Sequence, residues 1–329
     1  MITLLLLPFF LASRISVDIE SLLHGPEYTY RVEIDTINRD GRDGATTKAF
    51  DIGSTLKCRP RVPDTLNCRF EAARMAVFEK GLLDLAQDTV EDLWVDEEPF
   101  EIKFDKNGIA QLIVTRSMEP WTVDMIRAIV NQLNVGVDLR KRPDGIFVAK
   151  ERSFLGECGS TIELSRSISQ DRWKDDKLEI VPMPGLEKAS GEILQIEKRR
   201  DLNDCGRKED YFFASKSGYT LLHRDTTTTI KSSLSRIVVS DSNYTSYTVN
   251  EIVVGNKERN RNFTLYEKIT LKLETVSAAK TELPVIPDAT FVSFFVHGLT
   301  HANNDDDDDE SARIQNDQNV RKRDPRGKW

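Results

Sequence analysis

Few residues in this sequence have the types and spacing that chemistry needs. His297 and His301 lie four residues apart, a spacing that would place two imidazole metal ligands on one face of a helix. Neither a cysteine nor a carboxylate at suitable spacing completes the set, and the neighbouring residues lack a helical pattern. The acidic block at residues 305–310 lacks the glycine and the ligand spacing of a calcium loop. We therefore expect no metal site.

A short basic cluster at Lys198, Arg199 and Arg200 could contact phosphate groups, but it is too small to indicate a nucleic-acid partner. The formal net charge is -8, and the acidic block supplies most of it. The bulk charge therefore argues against nucleic-acid binding. The sequence also lacks a P-loop, a dinucleotide-binding fingerprint and the Gly-x-Ser-x-Gly turn of hydrolases. We expect neither enzyme activity nor a cofactor.

The elements around these residues are strands, with one exception. Residues 119–133 are predicted to form a helix, because Pro120 suits the first position and apolar side chains recur at helical spacing. Residues 100–104 and 109–114 alternate as strands around Asn107-Gly108, which favours a tight hairpin. Three long segments rich in Thr, Val, Ile and Tyr follow at 226–239, 244–254 and 263–276. The pattern predicts a mainly β protein whose antiparallel strands close into a barrel around one long central helix.

The N-terminus indicates a secreted protein. Residues 2–12 are apolar over the length of a signal peptide, far short of a membrane span, and small residues suited to cleavage follow. No Lys or Arg precedes this run, so a buried N-terminal strand is the alternative. Four cysteines, which allow three pairings, and glycosylation sequons at Asn243 and Asn262 agree with secretion. We predict a signal peptide at 1–16, a β-barrel domain at 17–280, and a linker with a disordered tail at 281–329.

Three groups of residues resemble the N-terminal module of vitellogenins, which belong to the large lipid transfer protein family. They occur in the family's order over roughly residues 25–280: residues 99–109 with Glu119-Pro120-Trp121, residues 154–158 with 200–205, and residues 235–254. The resemblance implies the family's N-sheet fold, a barrel of antiparallel strands around one central helix. It also implies a disulfide between Cys158 and Cys205. Cys58 and Cys68 are then the remaining pair, with two free thiols as the alternative.

The resemblance further implies a receptor-binding segment. Residues 197–203 are similar to the stretch by which vitellogenins engage receptors of the low-density-lipoprotein type. The implied contact residues are Lys198, Arg199, Arg200, Asp201, Leu202 and Asn203. Such receptors present acidic, calcium-bound pockets that suit a Lys or Arg side chain, and a disulfide at Cys205 would hold the strand end rigid. The alternative is a basic edge strand whose charges prevent aggregation.

The family continues into a helical horseshoe and further sheets that form a lipid cavity, and no repeated helix pairs follow residue 280 here. We therefore expect a lipid transporter or yolk nutrient-reservoir protein, of which this chain is the receptor-interaction module without the lipid cavity. Lipid would be a partner only as part of a longer chain. The alternative is a stand-alone secreted binding module that recognises a receptor, a membrane or a foreign surface and carries no lipid.

Overall fold

The computed structural model describes residues 12–15, 24–39, 46–61, 64–78, 88–91, 97–139, 142–168, 178–181, 192–208, 226–240, 243–256 and 261–295. Residues 1–296 form one compact unit, and a second unit, residues 297–329, lies wholly outside the described part. The helix α1 spans Pro120–Val130 and continues into a 3-10 turn at Asn131–Leu133. The strands are β1 Ala12–Ile15, β2 Pro26–Arg39, β3 Thr46–Arg61, β4 Thr65–Phe78, β5 Asp88–Glu91, β6 Phe100–Asp105, β7 Gly108–Thr115, β8 Gly145–Ser153, β9 Gly156–Ile168, β10 Leu178–Val181, β11 Glu192–Lys208, β12 Thr226–Val239, β13 Tyr244–Asn256, β14 Arg261–Ala278 and β15 Ala289–Ser293.

The main sheet is antiparallel and open. Its hydrogen-bonded order is β15-β7-β6-β4-β3-β2-β14-β13-β12-β11-β9-β8, with β5 also paired to β4 and with β1 and β10 forming a separate two-stranded sheet. Within the described residues β8 and β15 each pair on one side, so the predicted closure into a barrel is not confirmed. One reason lies at the end of β8, where the backbone N–H of Arg152 donates to the carbonyl of Gly136 at 2.8 Å. A loop residue thus takes the place that a closing strand would need.

The single predicted helix is confirmed and is more deeply enclosed than its sequence pattern suggests. Every residue from Thr122 to Val130 is buried, including the ion pair between Asp124 and Arg127 at 2.7 Å. The Arg127 Nε also donates to the carbonyl of Ser293 at 2.9 Å, which links the helix to β15. The helix and the inner face of the sheet share one hydrophobic core. In the described part of the chain no helix is long and apolar enough to cross a membrane.

The predicted hairpin at Asn107-Gly108 joins β6 to β7. Gly108 has φ +105°, a conformation that side chains disfavour. A Cβ atom there would lie 2.2 Å from the Oδ1 atom of Asn134, which accepts the N–H of Ile109 at 2.9 Å. Glycine is therefore required at this position for two reasons: the turn has a positive φ, and Asn134, which follows the helix, leaves no room for a Cβ atom.

Within the segment predicted as linker and tail, the structure describes residues 281–295, and residues 289–293 of it form the strand β15, which the prediction lacked. Residues 279–288, here called the crossing segment, lead from β14 to β15, which pairs with β7 so that Phe291 lies opposite Ile113. Arg59 fixes the crossing segment by donating to the carbonyls of Thr281 at 2.7 Å and Glu282 at 3.1 Å. Asn67 donates to the carbonyl of Pro284 at 3.3 Å. The predicted tail beyond residue 295 and most of the predicted signal peptide lie outside the described residues.

Candidate functional site

The six residues that the resemblance assigns to receptor binding lie on β11, between β9 and β12. Side chains alternate between the two faces of a strand, so Lys198 and Arg200 point to the inner face and Arg199 points to the outer face. Only 1% of Lys198 and 7% of Arg200 is exposed. In this fold these two side chains are therefore inaccessible to a receptor, which corrects their assignment as contact residues.

The two buried cations meet a single buried carboxylate, Glu151 on β8. Its Oε1 atom lies 2.7 Å from the Lys198 Nζ and 2.8 Å from the Arg200 Nη2. Its Oε2 atom accepts the hydroxyl of Ser160 at 2.8 Å, and the Arg200 Nη1 donates to the hydroxyl of Ser233 at 2.6 Å. Glu151, Lys198 and Arg200 form what we call the internal ion cluster. Four strands, β8, β9, β11 and β12, are joined through it and its two hydroxyl partners.

The internal ion cluster also anchors the chain that leaves the helix. The Lys198 Nζ donates to the carbonyls of Asn134 at 2.8 Å and Val135 at 3.1 Å. Gly136 follows with φ +81°, and a Cβ atom on it would lie 2.6 Å from the Glu151 Cγ. A cation close to the carbonyl end of a helix is electrostatically favourable. Lys198 therefore fixes the position of the helix relative to the sheet.

The electrostatics of the cluster follow from two cations that share one carboxylate. Burial alone would raise the pKa of Glu151, but Arg200 and Lys198 outweigh it and lower that pKa to about 2. Burial lowers the pKa of Lys198, and Glu151 offsets this effect only in part because Arg200 opposes it. The carboxylate is thus held ionised, whereas the charge of Lys198 is incompletely compensated. Among the described residues the Arg200 Nε has no hydrogen-bond partner.

The outer side of the same segment is accessible. The Arg199 side chain is 72% exposed and its Nη2 lies 2.8 Å from the Glu197 Oε1. Asp201 and Asn203 are exposed, and the Asn203 N–H donates to the Asp201 carboxylate at 3.0 Å. Leu202 is half-buried and packs against the core. Of the six predicted residues, Arg199, Asp201 and Asn203 are therefore the ones exposed to a partner.

Both predicted disulfides are present. Cys158 and Cys205 lie opposite each other on β9 and β11, and Cys58 and Cys68 do so on β3 and β4. Two register shifts flank Cys205, where β11 departs from regular pairing with β9. The disulfide thus holds β11 to β9 directly after the exposed residues, at a place where the ladder of hydrogen bonds is irregular.

The other predicted sites have the following positions. Asn243 lies in the turn between β12 and β13 and Asn262 lies at the start of β14; both are exposed, and their glycosylation stays a prediction. Among the described residues no group of three or more His, Cys, Asp or Glu could hold a metal ion. His297 and His301 lie outside these residues.

The sequence analysis did not identify Glu151. The alternation of residues along β11 could nevertheless have indicated that Lys198 and Arg200 are buried. Leu194, Ile196, Lys198 and Arg200 share one parity along β11, so the face that holds the two apolar residues also holds the two cations. A buried acid on a neighbouring strand would then be expected, because buried charges in proteins are normally paired.

Residues 23–281 match the family model described as the vitellogenin N-terminal domain. The chain belongs to this family. Vitellogenin-1 of Solenopsis invicta is 25% identical to the chain over 279 residues, which cover 77% of this chain and 16% of that protein. The vitellogenin-type chain thus spans about 16% of the length of this curated relative. A solved structure described as lipid-protein interactions in lipovitellin shares the fold, with a TM-score of 0.52, 11% identity, and coverage of 80% of this chain and 27% of that chain.

Proposed function

We propose that this chain is the receptor-interaction module of a secreted lipid transporter of the yolk-protein type, and that lipid is carried by a longer product. Membership of the vitellogenin family supports the class of protein. The observation that carries the receptor role is the exposed end of β11, where Arg199, Asp201 and Asn203 stand beside the Cys158–Cys205 disulfide.

The receptor contact is assigned to Arg199 and not to its two basic neighbours. The ammonium of Lys198 has three donors, and its three short contacts are to Glu151 and two carbonyls. Within the described residues, the exposed guanidinium of Arg199 engages a single carboxylate oxygen, that of Glu197, through its Nε and Nη2. Because an arginine fork can bind two acceptors at once, Arg199 retains donors for an acidic pocket of a receptor.

The disulfide supports this role by restricting the segment before binding. Asp201 and Asn203 lie where β11 is irregular, and such a segment would lose much freedom on docking. The covalent link to β9 removes part of that freedom in advance. The disulfides also support secretion, since such bonds persist in oxidising compartments. We propose that the module acts by binding and has no enzyme activity.

A matched pair of variants tests the receptor role. Arg199→Glu should weaken binding of the purified chain to calcium-loaded receptor modules of the low-density-lipoprotein type more than tenfold. Arg31→Glu is the control, because Arg31 is also exposed on an outer face and paired with a glutamate two residues away, at 2.7 Å. Surface plasmon resonance measures both. Equal affinities for the two variants and the unaltered chain would show that Arg199 is not a receptor contact. If the unaltered chain does not bind, receptors of the low-density-lipoprotein type are not its partners.

Lipid carriage is tested by the size of the native product. An immunoblot against residues 25–280 under reducing conditions should give a band several times heavier than the 37.5 kDa of this chain. In the described residues the helix and core side chains pack against the inner face of the sheet, which supports the proposal that lipid is carried elsewhere in a longer product. A band near 37.5 kDa would instead favour a stand-alone binding module.

A further inference from the structure

A cavity of about 370 Å³ lies between the crossing segment and the outer face of the sheet. Glu101 on β6, Ile113 on β7 and Phe291 on β15 lie opposite one another in register, so they form a row across that face. The crossing segment is held over the row, because Asn67, opposite Glu101 on β4, donates to the carbonyl of Pro284 at 3.3 Å. The row and the crossing segment thus form two sides of the cavity.

The lining of the cavity is mostly apolar. Ile113, Phe291 and the four residues 283–286 contribute apolar side chains to it. Val285 is 85% exposed and Phe291 is 67% exposed, so each offers apolar surface that a ligand would cover. Small-molecule sites are typically clefts of about 300–1,000 Å³ with apolar walls and a few polar groups that fix the orientation of the ligand. The cavity has the size and the walls of such a site.

The charged part of the lining is one ion pair, formed by Glu101 and Arg61. The Glu101 side chain is 5% exposed, whereas the Arg61 side chain is 59% exposed. Among the described residues, the two donors that reach Glu101 both meet its Oε1 atom, the Arg61 Nη1 at 2.5 Å and the Asn67 Nδ2 at 3.3 Å. The Oε2 atom of Glu101 is thus an acceptor that neither donor uses.

The difference in exposure decides which charge of this pair acts more strongly on a ligand. Water and salt screen an exposed charge such as that of Arg61 much more than a buried one. The carboxylate of Glu101 therefore dominates inside the cavity, and a cationic group is favoured there over an anionic one. The internal ion cluster has a similar arrangement, because the carboxylate of Glu151 binds two cations.

We propose that this cavity binds a small amphipathic amine. Its ammonium donates to the Oε2 atom of Glu101, and its aromatic body packs against Phe291 and Ile113. A lysine side chain of a protein partner fits less well, because its unbranched stem offers little apolar surface to the walls. The described lining residues include none from β11, so the proposal does not depend on the receptor role.

A series of ligands tests the charge preference on the unaltered full chain by ligand-observed NMR titration. The amine 4-phenylbutylamine should bind with a dissociation constant of roughly 1 mM or lower, as expected for about ten non-hydrogen atoms. The neutral analogue 4-phenylbutanol should bind about tenfold more weakly, and 4-phenylbutyrate more weakly still.

Three results of this series would overturn the proposal. Equal affinities for the amine and the alcohol, or no binding of either, would show that Glu101 does not recognise a cation in the cavity. Tighter binding of 4-phenylbutyrate would assign the head group to Arg61. Tighter binding of Nα-acetyl-lysinamide than of 4-phenylbutylamine would assign the cavity to a lysine of a protein partner.

Variants of the full chain locate the site. Glu101→Gln keeps an oxygen acceptor for Arg61 and should weaken binding of the amine about tenfold, with little change for the alcohol. Glu282→Gln is the matched control and should bind the amine normally, because Glu282 is exposed on the crossing segment and is not among the described lining residues. Phe291→Ala should weaken binding of the amine and the alcohol alike.

The fold of each variant is checked by circular dichroism, and the ligand series on the unaltered chain still tests the charge preference if Glu101→Gln does not fold. Equal losses of amine binding in Glu101→Gln and Glu282→Gln would show that the amine responds to net charge alone. That result would overturn the site, as would unchanged binding of the amine in Glu101→Gln.

Discussion

The inner and outer faces of β11 put the same residue types to opposite uses. Lys198 and Arg200 are buried, and their charged groups bind one carboxylate, two carbonyls and a hydroxyl. Arg199, between them, is largely exposed, and its partner among the residues that the structure describes is Glu197 on its own strand. Residue type therefore does not assign a role within a basic run. The parity of each residue along the strand does.

The internal ion cluster determines how the helix is placed on the sheet more than it adds to the stability of the fold. Removing charges from water has a large free-energy penalty, which the attraction inside a protein offsets only when the geometry is good. In the internal ion cluster one carboxylate binds two cations, and the Arg200 Nε has no hydrogen-bond partner in the described part of the chain. The same group, with its two hydroxyl partners, joins four strands to the end of the helix. We infer that it fixes the helix position, whereas the outer group is available for binding.

The largest expected difference between the faces follows removal of an acid. Glu151→Leu should lower the free energy of unfolding by about 3–5 kcal/mol, because two buried cations lose their counter-charge. Glu197→Leu, its counterpart on the outer face, should change that free energy by at most about 0.5 kcal/mol. Urea denaturation of both variants measures the difference. Similar losses for both would mean that the two faces do not differ as proposed.

A slightly smaller effect is expected from acid. The pKa of Glu151 is lowered to about 2 in the fold, so its contribution is complete above the ordinary carboxyl pKa and is lost as the pH falls through about 2. The linkage amounts to about 3 kcal/mol of unfolding free energy. Urea denaturation from pH 6 to pH 2 should show this loss in the unaltered chain. In Glu151→Gln the free energy of unfolding should not show this decrease between pH 6 and pH 2. The same decrease in that variant would assign the acid sensitivity to other groups.

The next prediction compares the substitution of arginine by lysine at the adjacent positions 199 and 200. Arg200→Lys should lower the free energy of unfolding by about 1–3 kcal/mol, because a single ammonium cannot span Glu151 and Ser233 as the guanidinium fork does. Arg199→Lys should alter it by at most about 0.5 kcal/mol. Thermal denaturation of the two variants provides the measurement. Equal melting temperatures would show that the fork geometry at Arg200 is unimportant.

The smallest effect expected is that of salt. Exposed charges are screened over about 10 Å at 0.1 M salt and about 3 Å at 1 M, whereas buried pairs are screened much less. Sodium chloride should therefore weaken receptor binding through Arg199 severalfold. It should leave the difference in unfolding free energy between the unaltered chain and Glu151→Leu nearly constant. A difference that shrinks with salt would indicate that water reaches the internal ion cluster.

Local patterns in the sequence predicted the features that depend on near neighbours. The helix that begins at Pro120 and the hairpin at Asn107-Gly108 are of this kind. Both disulfides came from family resemblance. The open edge of β8 and the pairing of β15 depend on contacts between distant residues, which periodicity does not encode. The prolines at 284 and 287 indicated a break, although Arg59 and Asn67 hold that segment by its carbonyls.

The buried cations were missed for a different reason. Lys and Arg are rarely fully buried, and this general tendency outweighed the strict alternation that placed Lys198 on the face of Ile196. Its counter-ion, Glu151, is 47 positions away along the chain and is brought near by the pairing of β8 with β9 and of β9 with β11. Only the strand order could have shown that these residues meet.

Arg59 has a consequence for how the module would respond to tension. Its guanidinium donates to the carbonyl of His24 at 2.9 Å as well as to Thr281 and Glu282, so one side chain ties together the entry and the exit of the matched region. Directly beyond it, β2 and β14 begin and end at the Pro26–Ala278 pair. Opposed pulling at these two points would load the Arg59 contacts first and then unzip β2 from β14, one pair after another. Force applied along a single strand would instead shear many hydrogen bonds together, so the module should be mechanically weak in one direction and strong in the other.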